Sequence, residues 1–270
     1  MKKILLAFQF LTIIPLRVRS DISEKELSRS ASFFPLVGAF QGLLAVVSAA
    51  LLLKVFSAEI VSALIVLILI ISNGGFHLDG LADTFDALSV KSSGDKAVDR
   101  EKRLSAMKDS STGAIGVIAI VSVIMLKFLF INNLFSISSI ITASSLLFLM
   151  PVFSKWVMIP AMYYGVSARQ DGLGKIFLDN IRANAVIFSS LLTIIFCLLI
   201  TELHLHKLYG TKPIALFFIL VFALYIFSFL SVKFCEKKFG GLTGDTLGAI
   251  SEISEILFLM VVTVWLQHFI

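Results

Sequence analysis

The chain has 270 residues, 58% of them hydrophobic and only 15% charged, with a mean hydropathy of +0.97. A soluble domain carries about 25% charged residues and needs them as its outer coat, so a soluble globule is excluded. Twenty-five Phe against five Pro exclude a disordered chain. The net charge of +5 belongs, in a membrane protein, to loops on the cytoplasmic side, so nucleic acid is not an expected partner.

The first apolar run, 4–16, lies between Lys2–Lys3 and Arg17–Arg19 with no small-residue cleavage site after it. At 1.5 Å per residue it makes a helix of about 20 Å, short of a ~30 Å hydrocarbon core. It reads as a retained interfacial helix. Seven longer runs follow, at 34–56, 59–78, 112–131, 137–160, 183–203, 213–235 and 247–268. The alternate connections hold eighteen Lys and Arg on one side and two on the other, which places the N-terminus inside and the C-terminus outside. Lys54, Lys127 and Lys155 fall near span ends, where a lysine can snorkel. Cys197 and Cys235 read as buried small hydrophobes. The expectation is one all-α, polytopic domain over 1–270 in the cytoplasmic membrane.

Carboxylates near a bilayer are expensive, so their positions carry information. In NGGFHLDGLADTFDAL (73–88), Asp79, Asp83 and Asp86 recur at i, i+4 and i+7, on one helical face. At ~6 Å and an effective dielectric of about 20, each pair repels by roughly 3 kcal/mol. Such a stripe is either a solvated helix end with ordinary surface acids or a set held ionised by a cation, for which oxygen ligands at a membrane surface favour Mg2+ shared with substrate phosphates. Gly74, Gly75 and Gly80 leave room for close approach, and His77 is as much a structural residue as a catalytic one. KRLSAMKDSSTGAIG (102–116) sets Arg103, Lys108, Asp109, Ser110 and Gly113 before the third span, a helix start suited to phosphate or simply an N-cap. GGLTGDTLGAISEISE (240–255) puts Asp245, Glu252 and Glu255 within about 80° of one another on a helix. The two glutamates are either functional or half of a buried ion pair with a lysine. ARQDGLGK (168–175) adds Arg169 and Lys175 for phosphate, and Asp171 for metal or a turn. All four sets fall on the cytoplasmic side.

Acids for metal, cations for phosphate and glycine-rich turns suit transfer of a phosphorylated group, which needs positioning and charge neutralisation above all. No Walker A sequence is present. The ordered segments FLTIIPL, FFPLVGAFQG, GGFHLDGLADTFDAL, RLSAMKDSSTGAIG, RQDGLG and GGLTGDTLGAISEISE, spanning 10–255, resemble the adenosylcobinamide-GDP ribazoletransferase (cobalamin synthase) family. Lys155 stands where that resemblance leads one to expect an arginine. The resemblance implies a Mg2+-dependent membrane enzyme acting on adenosylcobinamide-GDP and α-ribazole or its 5′-phosphate. A ribose hydroxyl attacks the corrin-linked phosphate and GMP leaves. It further implies Asp79, Asp83 and Asp86 as Mg2+ ligands with one as base, and Lys108 in the catalytic set. His77, Arg103, Asp109, Ser110, Gly113, Arg169 and Asp245 would bind substrate or phosphate. Glu252 and Glu255, with Asp245, would complete a second metal or ribose site. A homo-oligomer is left open.

Three rivals remain. A CDP-alcohol phosphotransferase would need DG-x2-AR-x8-G-x3-D-x3-D, which is not matched: Asp79-Gly80 leads to Ala82-Asp83. A prenyltransferase would need a second Asp-rich motif. An ion-coupled transporter would place its acids at midplane rather than toward one face.

Overall fold

A computed structural model describes residues 1–16, 22–109 and 111–269. Arg17, Arg19 and Ser110 lie outside them. Regular structure among the described residues is helical. The elements are α1 (Lys2–Leu11), α2 (Glu24–Ser30), α3 (Phe34–Leu52), α4 (Ala58–Ser72), α5 (Phe76–Ser89), α6 (Lys96–Ala106) and α7 (Ala114–Ile137). They continue as α8 (Ile140–Tyr164), α9 (Leu173–Asn180), α10 (Ala183–Ile200), α11 (His206–Tyr209), α12 (Lys212–Phe239) and α13 (Gly244–Phe269). Six stretches, carrying α3, α7, α8, α10, α12 and α13, are long and apolar enough to cross a bilayer, and α4 with α5 makes a seventh if the pair is one span. Only helices with their own backbone bonds satisfied can do so in hydrocarbon.

Helices α8 and α13 form the centre, with Phe153, Trp156 and Phe258 buried between them and their neighbours. Lipid supplies no hydrophobic drive for helix association, so close backbone packing must. Gly38 and Gly42, in a Gly-x3-Gly pattern on α3, supply it. A Cβ at Gly38 would sit 2.4 Å from the Pro151 carbonyl oxygen, and one at Gly42 2.2 Å from that of Phe148. Helices α7, α10 and α12 turn apolar faces outward, as Met125, Leu191 and Phe222 show.

The second expected span, 59–78, is not straight. Helix α4 ends at Ser72, and α5 leaves it at 88°. Gly74 (φ 67°) and Gly75 (φ 74°) take left-handed conformations closed to most side chains. Their N–H groups bond back to the carbonyls of Ile71 and Ile70, and Gly75 N–H also donates to Asn73 Oδ1. The aspartate stripe therefore rides its own helix, at an angle the hydropathy pattern did not contain.

Helix α1 ends at Leu11, short of the expected 4–16, and the Ile13 N–H donates to the Ser72 carbonyl at 3.1 Å, tying the N-terminal segment to the break. The expected loop at 87–111 contains α6, capped by Asp95, whose carboxylate accepts from Ala97 and Val98 N–H. Ser92 and Ser93 donate to the Asp99 carboxylate and hold its pKa down, at about 2. The contribution of that bond set to stability is complete above pH ~4 and lost as pH falls toward 2.

Candidate active site

Helix α5 runs against α13 and α7, and Gly80 makes the first approach possible. A Cβ there would lie 2.8 Å from both Cα and the carbonyl oxygen of Asp245. A parallel bridge between Ser167 and Leu242 joins the α8–α9 loop to the α12–α13 loop, through Ala168 N–H to the Leu242 carbonyl and Leu242 N–H to the Val166 carbonyl. That bridge brings Arg169 to Asp245, Nη2 to Oδ2 at 2.8 Å. Thr243 and Thr246 cap the start of α13 reciprocally, each backbone N–H donating to the other's hydroxyl. Asp245 is thereby left to face Arg169 and the α5 stripe. Gly80→Val should force α5 off α13, an overpacking cost of about 1–3 kcal/mol. The expected result is a melting temperature lower by roughly 3–10 °C and activity down at least about tenfold, read by thermal melting and product release.

Asp79 is exposed and Asp83 half-buried beside it. Asp83 feels Asp79, Asp245 and Asp86 as like charges and Arg169 as the nearby cation. Among the described residues neither the Asp79 nor the Asp83 carboxylate has a hydrogen-bond or ion-pair partner. Two unpaired carboxylates beside a third, with one arginine between, form an acidic cluster short of positive charge.

Asp86 departs from the expectation. Its two oxygens accept from Gly113 N–H and Gly116 N–H, both at 2.7 Å, so it caps α7 from outside. The N-terminal amides of α7 that were expected to meet phosphate are filled by this carboxylate, and Gly113 contributes its N–H to the cap. Arg103 departs as well. It is buried, with Nη1 on the Lys238 carbonyl at 3.2 Å, and Arg100 reaches the Glu236 carbonyl. Both arginines close the C-terminus of α12 and dock α6 there. Lys108 and Asp109 are exposed; Asp109 accepts from Ser111 N–H and Oγ, an Asx turn. Lys175 pairs with Asp179 on α9, and Asp171 is exposed.

The glutamates fulfil the ion-pair alternative. Lys127 Nζ lies 2.5 Å from Glu252 Oε2 and 2.6 Å from Glu255 Oε2, with all three residues buried. Lys155 Nζ lies 3.8 Å from Glu255 Oε1 and donates to Ser251 Oγ at 2.9 Å and His77 Nδ1 at 3.2 Å. A second metal site at Glu252 and Glu255 is therefore set aside, because an ammonium fills the position between them. His77, also expected to bind substrate, lies buried inside the same network, with its backbone against Gly248. Lys127 and Lys155 do not snorkel; they are 4% and 1% exposed. A lysine within an apolar run was the available signal, and the glutamates that Lys127 meets lie more than a hundred residues away.

A metal would meet Asp79, Asp83 and Asp245. No group of three or more such side chains close enough to hold an ion is present among the described residues. Mg2+ takes one or two carboxylates and completes its shell from water and substrate phosphate. The unpartnered Asp79 and Asp83 fit that shared mode, not a closed protein cage.

Six or seven apolar helices with an acidic cluster and Arg169 at one corner define a multi-pass membrane protein. A family model for cobalamin-5-phosphate synthase matches residues 3–263, and the chain belongs to that family. It is 39% identical over 259 residues to an adenosylcobinamide-GDP ribazoletransferase of Thermodesulfovibrio yellowstonii, covering 96% of this chain and 94% of the relative. It is 32% identical over 285 residues to one from Fusobacterium nucleatum, covering both chains completely. A third, from Caldanaerobacter subterraneus, is 34% identical over 258 residues, 95% of this chain and 96% of its own. No solved structure matches the chain.

Proposed function

We infer that this protein is a transferase of cobalamin biosynthesis, joining adenosylcobinamide-GDP to α-ribazole or its 5′-phosphate with release of GMP. The relatives carry that activity in their name, and the unpartnered Asp79–Asp83 pair facing Asp245 and Arg169 is the observation that carries the chemistry. The ribose hydroxyl oxygen bonds to the corrin-linked phosphorus, the bond from that phosphorus to the GMP phosphate oxygen breaks, and the hydroxyl proton passes to a carboxylate. Asp83, half-buried and next to Asp79, is placed to take it. Arg169 is placed to meet the diphosphate, exchanging its bond to Asp245 for charge-assisted bonds to phosphate oxygens. Asp79 and Asp83 are the residues that would hold Mg2+, which would neutralise charge on the leaving phosphate.

The site lies where the chain changes from spans to charged connections. With eighteen of the loop Lys and Arg on that side, the positive-inside rule makes it cytoplasmic. The whole chain acts as one catalytic domain in the cytoplasmic membrane. The test is GMP release by detergent-purified protein given both substrates. The expected result is one GMP per joined product, abolished by chelation and restored by Mg2+. Full-rate release in chelator overturns the metal assignment, and no release from folded protein overturns the reaction.

A further inference from the structure

Away from the acidic corner, α1, α2 and the start of α10 enclose a cavity of about 390 Å3. Each of the three elements contributes one cation to its lining: Lys3, Arg29 and, immediately before α10, Arg182. No carboxylate lines it. Among the described residues none of these three side chains has a hydrogen-bond or ion-pair partner, whereas the adjacent Lys2 is neutralised by Glu26 at 2.9 Å. Three like charges converging on one hollow repel, and an anion inside relieves all three at once.

The floor of the cavity is apolar. Phe33 and Phe188 meet edge to face with centroids 5.2 Å apart. Phe188 is also the beginning of the lipid-facing surface of α10, continued by the exposed Leu191 and Ile195. Helix α10 opens a span of 23 residues, Ala183–Leu205, so the cavity sits at its first turn, at headgroup depth. A ligand that satisfies every part of this site has a phosphate at one end, no cation of its own, and a hydrocarbon chain at the other. Basic recesses between span ends take anionic headgroups for this reason.

We propose that this cavity binds the phosphate of an anionic phospholipid, with an acyl chain laid along the outer face of α10. The site is separate from the transfer chemistry and does not rest on it, since none of its residues belongs to the acidic corner. Helix α9 connects the two regions, with Gly174 against Gly244 near one end and Asn180 in the cavity lining at the other.

Native mass spectrometry of the detergent-purified full chain, titrated with phosphatidylglycerol or with phosphatidylcholine, tests this. Phosphatidylglycerol is expected to give the tighter first adduct. Arg29→Gln with Arg182→Gln should weaken that adduct about 25-fold, near fivefold per cation, and leave phosphatidylcholine unchanged. Lys237→Gln with Lys238→Gln removes two charges from the end of α12 and should leave the adduct intact. Equal weakening by both pairs would show a diffuse field rather than a site. Equal affinity for the two lipids, or full displacement by excess inorganic phosphate, would also overturn the proposal, the latter in favour of a soluble anion. These last two arms use the unmodified protein and decide the question even if the arginine pair fails to fold.

Discussion

Lys127→Met should lower the melting temperature by roughly 10 °C or more, on the basis that removing one partner of a buried ion pair costs about 3–5 kcal/mol. Lys127 is 4% exposed and bridges Glu252 and Glu255 at 2.5 and 2.6 Å. Without it two carboxylates face each other among apolar helices, with Lys155 at 3.8 Å from Glu255 and the His77 ring at 3.9 Å from Glu252. The four charges sum to zero in the native chain and to minus one in the variant. Adding Glu252→Gln returns the sum to zero, with Lys155 and Glu255 as the surviving pair. The double variant should therefore recover more than half of the lost stability, as read by thermal melting in detergent. A metal site at these glutamates predicts the opposite pattern. There, Mg2+ would raise the melting temperature of the unmodified protein, and that increment would vanish with Glu252→Gln.

Asp83→Asn should reduce GMP release by about a hundredfold or more, the usual contribution of a positioned base or a charged transition-state partner. Its effect on folding should have the other sign. Asp83 stands beside Asp79, Asp245 and Asp86 with Arg169 as the nearby cation, and among the described residues it has no bond to lose. Neutralising it relieves repulsion, so the melting temperature should stay level or rise. Loss of activity with gain of stability is the signature of a group kept for chemistry rather than for the fold. Asp79→Asn should behave alike, with the weaker stabilisation that its exposure implies.

The bundle was legible because a bilayer admits few solutions. Apolar runs of about 20 residues must be helices there, and every span named from hydropathy contains one. What hydropathy could not carry was direction. Gly74 and Gly75 are visible as a pair, but an 88° turn follows from their left-handed backbone and not from their polarity. The helical wheel likewise placed Asp79, Asp83 and Asp86 on one face, which they share. It could not tell that the lower end of that face meets the start of α7, where Gly113 and Gly116 offer N–H groups to Asp86. Arg103 sits among other cations in the sequence and looks free. Its guanidinium is committed to the end of α12, 135 residues away. Glu252 and Glu255 advertise a buried partner without saying which, and by hydropathy alone Lys127 reads as a snorkelling lysine. In each case the residue type and its rough depth were readable, and the identity of the neighbour was a tertiary fact.

We propose that the aspartate stripe is divided, with Asp79 and Asp83 serving the reaction and Asp86 the fold. The most direct test is single-turnover GMP release by Asp83→Asn and Asp86→Asn, measured side by side at saturating Mg2+ with melting curves of both. Asp83→Asn is expected to lose about two orders of magnitude in rate and no stability. Asp86→Asn is expected to lose about 1–2 kcal/mol of helix capping while its folded fraction turns over within a few-fold of the unmodified protein. Equal loss of rate in both, with Asp86→Asn melting normally, would contradict this division and return Asp86 to the catalytic set.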